Sequence, residues 1–210
     1  MYINEFQNNM EILLATSNKH KVKELLKILP GKTKSGKVLV YKTLADFPNL
    51  PPIIEDGKTL EDNAKIKAVF GCANTELITL ADDTGLMVDY LNGEPGVNSA
   101  RYAYADKCDN KANNEKLLKK LSGVSNNKRT AYFKTFAALA IPTGQLFLEE
   151  GKIEGRILTE YKGTGGFGYD ALFFVPAYNK TLAEMTEEEK NEISHRGEAF
   201  RKISKYLIEL

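Results

Sequence analysis

The sequence predicts an α/β fold on a mixed sheet, and three features carry that expectation. Strand and helix patterns alternate through the first half, long extended runs joined by a tight turn follow, and a helical stripe closes the chain. Early alternation favours parallel strands with crossover helices, whereas turn-joined runs pair antiparallel.

The chain has 210 residues, which fits one large domain or one domain divided into two lobes. Hydrophobic residues make up 42% and charged residues 27%, a globular balance that excludes a disordered or fibrous class. Net charge is +1, from 29 basic and 28 acidic residues, so no bulk charge draws the chain onto nucleic acid or an anionic membrane. An anionic ligand must therefore be held locally. Cys72 and Cys108 form no CxxC or Cys/His pattern and read as reduced thiols. The opening "MYINEFQNN" lacks the basic patch and apolar run of a signal peptide, and "FAALAI" is too short to span a bilayer, so the expected compartment is the cytoplasm.

Taken in order, "EILLATS" is a first strand running into "NKHKVKELLKIL", where Val22, Leu25, Leu26 and Leu29 recur with helical spacing. "VLVYKT" can be a strand, and the prolines of "FPNLPP" require a loop. A second helix starts after Thr59 as N-cap, with Asp62 completing a capping box and Ile66, Val69, Phe70 and Ala73 as the apolar face; Lys67 lies off that stripe. "LITLADD" reads as a buried strand, "GLMVDYL" as a second extended piece and Asn110 to Leu121 as a helix. "RTAYFKTFAALAIPTGQLFLEEGKIEGRI" reads as long antiparallel strands joined at Pro-Thr-Gly. A final helix follows "ISHRGEAF", burying Phe200, Ile203, Leu207 and Leu210.

Five segments hold residues suited to chemistry. In "ATSNKHK" a helix N-terminus meets Thr16, Ser17 and Asn18 as short donors and Lys19 and Lys21 as cations, with His20 between them. That is a phosphate cradle, or simply a capped helix with solvated lysines. "LADDTGL" delivers Asp82 and Asp83 at a strand end. Alternation lets only one of the two face a ligand, as a hard oxygen donor for magnesium, unless Asp83 and Thr84 merely close a turn. "IIEDGKTLEDNAKIK" adds Glu55 and Asp56 ahead of a helix on which Asn63 and Lys67 share a face. "GTGGFGYDALFFVP" brings Phe167, Gly168, Tyr169 and Asp170 out of a glycine-rich bend, where a ring can stack on a flat base or belong to the core. "EEEKNEISHRGEAF" gathers Lys190, His195 and Arg196 at the entry to the last helix, where Ser194 is a natural N-cap; these donors suit a keto oxygen or a phosphate, or are simply surface residues.

In their order and spacing these segments, with "LNGEPGVNSARYA", resemble the inosine triphosphate pyrophosphatase family, and the match spans nearly the whole chain. The resemblance implies an elongated two-lobed α/β domain over 1–210 with a central nucleotide-binding cleft, usually in a homodimer, acting on non-standard purine nucleoside triphosphates with magnesium at the phosphates. Carried over by position, Thr16, Ser17, Asn18, Lys19, His20 and Lys21 match the triphosphate loop, Glu55 and Asp83 the metal acids, and Lys67 a phosphate-facing lysine. Asp83 also matches the proton acceptor and Thr84 a substrate contact. Phe167, Gly168, Tyr169 and Asp170 match the base and sugar side, and Lys190, His195 and Arg196 the residues that meet the purine. Thr84 stands where many members have serine, which keeps the hydroxyl. Gly31 to Leu50 departs from the family pattern, and "GKTKSGK" reads as a local extension. Pyrimidine-directed relatives of the septum-formation-inhibitor type carry a Ser-Pro-Arg-Arg run that "ATSNKHK" lacks.

Overall fold

The structure, a computed structural model, describes residues 8–210. Residues 1–7, which include most of the opening stretch read above for targeting, lie outside them. The elements are β1 (Asn9–Leu14), α1 (Lys19–Ile28), β2 (Val38–Thr43), α2 (Leu60–Thr75), β3 (Ile78–Val88), β4 (Pro95–Gly96), α3 (Asn110–Lys120), β5 (Thr130–Ala140), β6 (Leu146–Ile157), β7 (Phe173–Val175), β8 (Lys180–Thr181), α4 (Glu187–Ile193) and α5 (His195–Leu207). Among the described residues eight strands form one sheet, in the order β2-β1-β3-β5-β6-β7-β8 with β4 on β3. β1 pairs parallel with β2 and β3, while β3–β4, β6–β7 and β7–β8 are antiparallel, so the sheet is mixed, as the patterning predicts.

The chain divides into two compact units. The first holds residues up to Asp83, Phe136–Glu150 and Ala199–Leu210. Strand alternation splits its core into two faces. Ile12, Leu14, Leu80, Ala137 and Leu139 pack with Leu25 of α1 and Phe200, Ile203 and Leu207 of α5. Ala81, Ala138 and Ala140 instead meet Ala64, Ala68 and Cys72 of α2. The "GKTKSGK" turn bridges back to β2 at Lys32–Val38, and the Lys34 N–H donates to the Ile208 carbonyl at 2.7 Å, so this stretch docks on the end of the chain.

Several expectations need correction here. α2 begins as predicted, with the Asp62 N–H donating to Thr59 Oγ1 at 3.0 Å, but its buried face is Ala64, Lys67, Ala68, Gly71 and Cys72, and Val69 is 49% exposed. Small side chains let the helix lie close to the sheet: a Cβ on Gly71 would sit 2.8 Å from Thr79 Cγ2 and 2.9 Å from Leu13 Cδ2. The larger apolar residues are left at the flanks. Leu26 of α1 is exposed for a related reason, since Leu25 and Leu29 already fill the contact. β3 does not break at Gly85 but runs as one strand of 11 residues. Its pairing with β1 stops at Leu14–Leu80, so Asp82 and Asp83 continue past the end of β1, where α1 starts. Positions beyond the carboxyl end of a parallel neighbour are where open α/β sheets place ligands.

The second unit holds Thr84–Thr135 and Gly151–Glu198. Leu86, Val88, Phe133, Ile157, Leu172 and Phe173 form its core with Leu117 and Leu121 from α3. Arg129, 2% exposed, donates to the carbonyls of Leu121, Ile157 and Leu158 at 2.7–2.8 Å, tying the end of α3 to the end of β6. α5 starts at His195, directly after Ser194, whose Oγ accepts from the Gly197 N–H at 3.0 Å as the N-cap reading requires, so the helix includes most of "SHRGEAF" rather than following it, and α4 forms a separate short helix before it.

Gly71→Ala gains helix propensity of about 1 kcal/mol, but overpacking against Thr79 and Leu13 costs more. A net loss of about 1–2 kcal/mol is expected, read as a lower urea midpoint at unchanged slope.

Candidate functional site

The first turn of α1 holds Lys19, His20 and Lys21 and no acidic residue. Positive side chains at a helix N-terminus oppose the macrodipole, so they weaken the helix unless an anion is bound there. Asn18 caps this end, its Oδ1 accepting from the N–H groups of His20 (2.9 Å) and Lys21 (3.3 Å), while Thr16 Oγ1 accepts from the Asn18 N–H at 3.2 Å. Ser17, Lys19 and His20 are exposed. Lys21 instead reaches across to Asp82, Nζ to Oδ2 2.8 Å, and this carboxylate is fully buried. The two adjacent acids therefore diverge, as strand alternation requires, and each takes its own lysine.

The other lysine is Lys67, whose Nζ lies 2.7 Å from Glu55 Oε2 and 3.0 Å from Asp83 Oδ1. Its side chain is only 8% exposed, which alone would disfavour the ammonium, yet Asp83, Glu55 and Asp82 together outweigh burial and hold its pKa above the ordinary value. Burial likewise raises the Asp83 carboxyl, with Lys67 and Lys21 opposing it. Asn63 supports both acids: its Oδ1 accepts from the Gly57 N–H (2.9 Å), fixing the loop that carries Glu55, and its Nδ2 donates to Asp83 Oδ2 (3.3 Å). Among the described residues no three His, Cys, Asp or Glu side chains converge as a metal cage. Magnesium needs no such cage, because it takes one or two carboxylates and completes its octahedron with water and phosphate oxygens. Glu55 and Asp83, all-oxygen donors converging on one ammonium, fit that demand.

The second unit gathers a different set. Asp170 accepts from the Phe167 N–H at 2.8 Å and pairs with Lys190 Nζ at 2.6 Å, both side chains 6% exposed. Gly166 sits at φ +68°, and a Cβ there would lie 2.2 Å from Asp170 Oδ2, so the loop closes over this carboxylate only with glycine. The Phe167 ring has Lys190 Nζ 5.1 Å and Arg196 Cζ 5.6 Å from its centroid. Arg196 Nη2 also reaches Thr84 Oγ1 at 3.3 Å. Tyr169, by contrast, is 5% exposed and donates its hydroxyl to the Ser99 carbonyl at 2.8 Å. Its ring belongs to the core, so of the two aromatics in this loop only Phe167 stays partly exposed. Gly168 presents its carbonyl to Asn114 Nδ2 at 2.9 Å.

Residues 12–206 match the Ham1 family. The chain belongs to that family. The dITP/XTP pyrophosphatase of Elusimicrobium minutum is 55% identical over 198 residues, covering 94% of this chain and all of the relative. That of Desulforamulus reducens is 48% identical, covering 96% of this chain and 97% of the relative. Among solved structures, the Staphylococcus aureus Ham1 protein superposes with a TM-score of 0.81 at 34% identity, covering 94% and 97% of the two chains. A HAM1 protein from Coxiella burnetii gives 0.83 at 35%, covering 96% and 100%.

Within this Ham1 chain, Glu55, Lys67 and Asp83 come together with Asp82 and Lys21, and Phe167, Asp170, Lys190, Arg196 and Thr84 form the second group. His195 is buried beside them in the chain, its ring stacked on Phe133 at 4.7 Å. The sequence already marks Asp82, as the alternate of Asp83, and Asn63, by its helical spacing to Lys67, whereas nothing local marks Phe133 or Thr135. Asp170→Asn removes the carboxylate paired with Lys190 at a buried position. An expected loss of about 3 kcal/mol follows, measured by urea unfolding.

Proposed function

We infer that this Ham1 protein is a nucleoside triphosphate pyrophosphatase that hydrolyses non-standard purine nucleotides, ITP, dITP and XTP, to the monophosphate and pyrophosphate. Removing such nucleotides cleanses the precursor pool. The observation that carries the reading is the buried Lys67 ammonium shared by Glu55 and Asp83, in a chain whose relatives are named dITP/XTP pyrophosphatases.

Water attacks the α-phosphorus, the bond to the bridging oxygen breaks, and pyrophosphate leaves. Asp83 orients this water and accepts its proton, a task that suits a carboxyl whose pKa is raised by burial. Lys67 offsets the charge that grows on the phosphate oxygens. The first turn of α1, with Thr16, Ser17, Asn18, Lys19, His20 and Lys21, holds the distal phosphates. Magnesium held by Glu55 and Asp83 would supply neutralisation of the triphosphate.

Phe167 stacks on the base, and Gly168, Tyr169 and Asp170 shape and hold its loop. Lys190, His195 and Arg196 present donors, with Thr84 as a further substrate contact. A donor matched to the keto oxygen of hypoxanthine or xanthine faces the amino group of adenine, and the mismatch costs heavily in a buried site. The chain acts as one functional domain over 1–210 and as a homodimer in the cytoplasm, without nucleic acid or membrane partners. Two free cysteines and near-neutral charge support that setting.

Asp83→Asn is expected to lower kcat by about a hundredfold or more with the fold retained by circular dichroism; full activity at saturating magnesium overturns its role. Chelation of divalent cations is expected to abolish pyrophosphate release, and added magnesium to restore it. A release assay with ITP, XTP, GTP and ATP should favour the first two. Equal use of all four removes the selectivity, and binding without release identifies a nucleotide sensor instead.

A further inference from the structure

The base-side donors are held from beneath by one strand. Thr84 on β3 and Thr135 on β5 are neighbours across the sheet, and their hydroxyls meet at 2.7 Å. Thr135 is fully buried, so its hydroxyl needs a partner and holds that of Thr84 in one rotamer. Arg196 Nη2 donates to the same Thr84 oxygen at 3.3 Å. A hydroxyl that accepts from Arg196 can still donate to Thr135 or accept from it, so the three groups form a short hydrogen-bonded chain. Two residues back on β5, and hence on the same face, Phe133 lies under His195 with its ring nearly parallel, 15° between planes. Phe133 is braced in turn by Phe173 at 4.8 Å. Consecutive residues of α5, His195 and Arg196, are thus both registered to alternate positions of β5.

We propose that β5 is the template for purine recognition, with Thr135 positioning Thr84 and Arg196 through its hydroxyl and Phe133 positioning His195 through its ring. Neither residue is a ligand of the nucleotide; each acts through another side chain. The proposal rests on the reading that Thr84, His195 and Arg196 meet the substrate. It gives β5 a task beyond packing: fixing the angle at which donors face the base, on which rejection of adenine depends, because a loosely held donor can turn to avoid the mismatch.

Thr135→Val keeps the shape and removes the hydroxyl, while Thr135→Ser keeps the hydroxyl and removes a methyl group. The readout is kcat/KM for ITP relative to ATP, from pyrophosphate release, alongside thermal unfolding. Thr135→Val is expected to lower that ratio by about tenfold, chiefly through a higher KM for ITP, and Thr135→Ser to stay within about twofold of wild type. A merely structural threonine would make both variants less stable and leave the ratio unmoved, and that result overturns the proposal. So does an equal fall of the ratio in Val and Ser. If Thr135→Val does not fold, Phe133→Leu takes its place, with a lowered ratio expected and a wild-type ratio overturning the template. A wild-type enzyme that releases no pyrophosphate from ITP, or that uses ITP and ATP alike, overturns the underlying assignment instead. Selectivity in the wild type with no change in the variants sinks only the role of β5.

Discussion

The ammonium of Lys67, buried between Glu55 and Asp83, is the interaction on which the first unit's chemistry depends. Two carboxylates brought this close repel one another and lose hydration, so they stay together only with a cation between them. Lys67 supplies it, and Asn63 fixes the geometry by gripping the Glu55 loop with one end of its amide and Asp83 with the other. The neighbouring Asp82–Lys21 pair contributes to the same field. The outcome is a compact acidic site already arranged around positive charge, next to a helix start that carries cations where helices ordinarily carry acids. Cations at a helix start and buried carboxylates both cost stability, a pattern expected where function overrides folding preference.

The second unit solves a different problem, holding an aromatic ring at a loop tip. Glycines let the chain bend, but freedom alone would leave Phe167 mobile. The buried Asp170–Lys190 pair supplies the constraint, since Asp170 takes both the Phe167 N–H and the lysine. Tyr169 anchors the following residue in the core through Ser99. Flexible backbone and polar clamp work together to fix the loop that carries the ring.

Much of this was legible locally. Thr59 and Asp62 announced the start of α2, "VLVYKT" matches β2 residue for residue, and of the two residues suited to cap α1, Ser17 and Asn18, it is Asn18 that does so. Misreadings arose where packing overrode pattern. In α2 the larger apolar residues mark the wrong face, because apolar patterning rewards size while the helix turns mostly small residues, Ala64, Ala68, Gly71 and Cys72, to the sheet. Gly85 looked like a break, yet β3 runs through it as one strand with β5 as its neighbour in the sheet. Tyr169 looked equal to Phe167, and only the depth of burial separates them.

The sequence by itself determined the mixed α/β character, most element positions, the family, and which segments carry the polar and charged residues of the candidate site. These follow from periodicity, caps and motif order, all of which act over a few residues. Tertiary structure alone decided which acid pairs with which lysine, which face of α2 is buried, and that Thr135 and Phe133 stand beneath Thr84 and His195. Those outcomes depend on strand register and helix approach between segments far apart in the chain, and no local pattern encodes the distance between them.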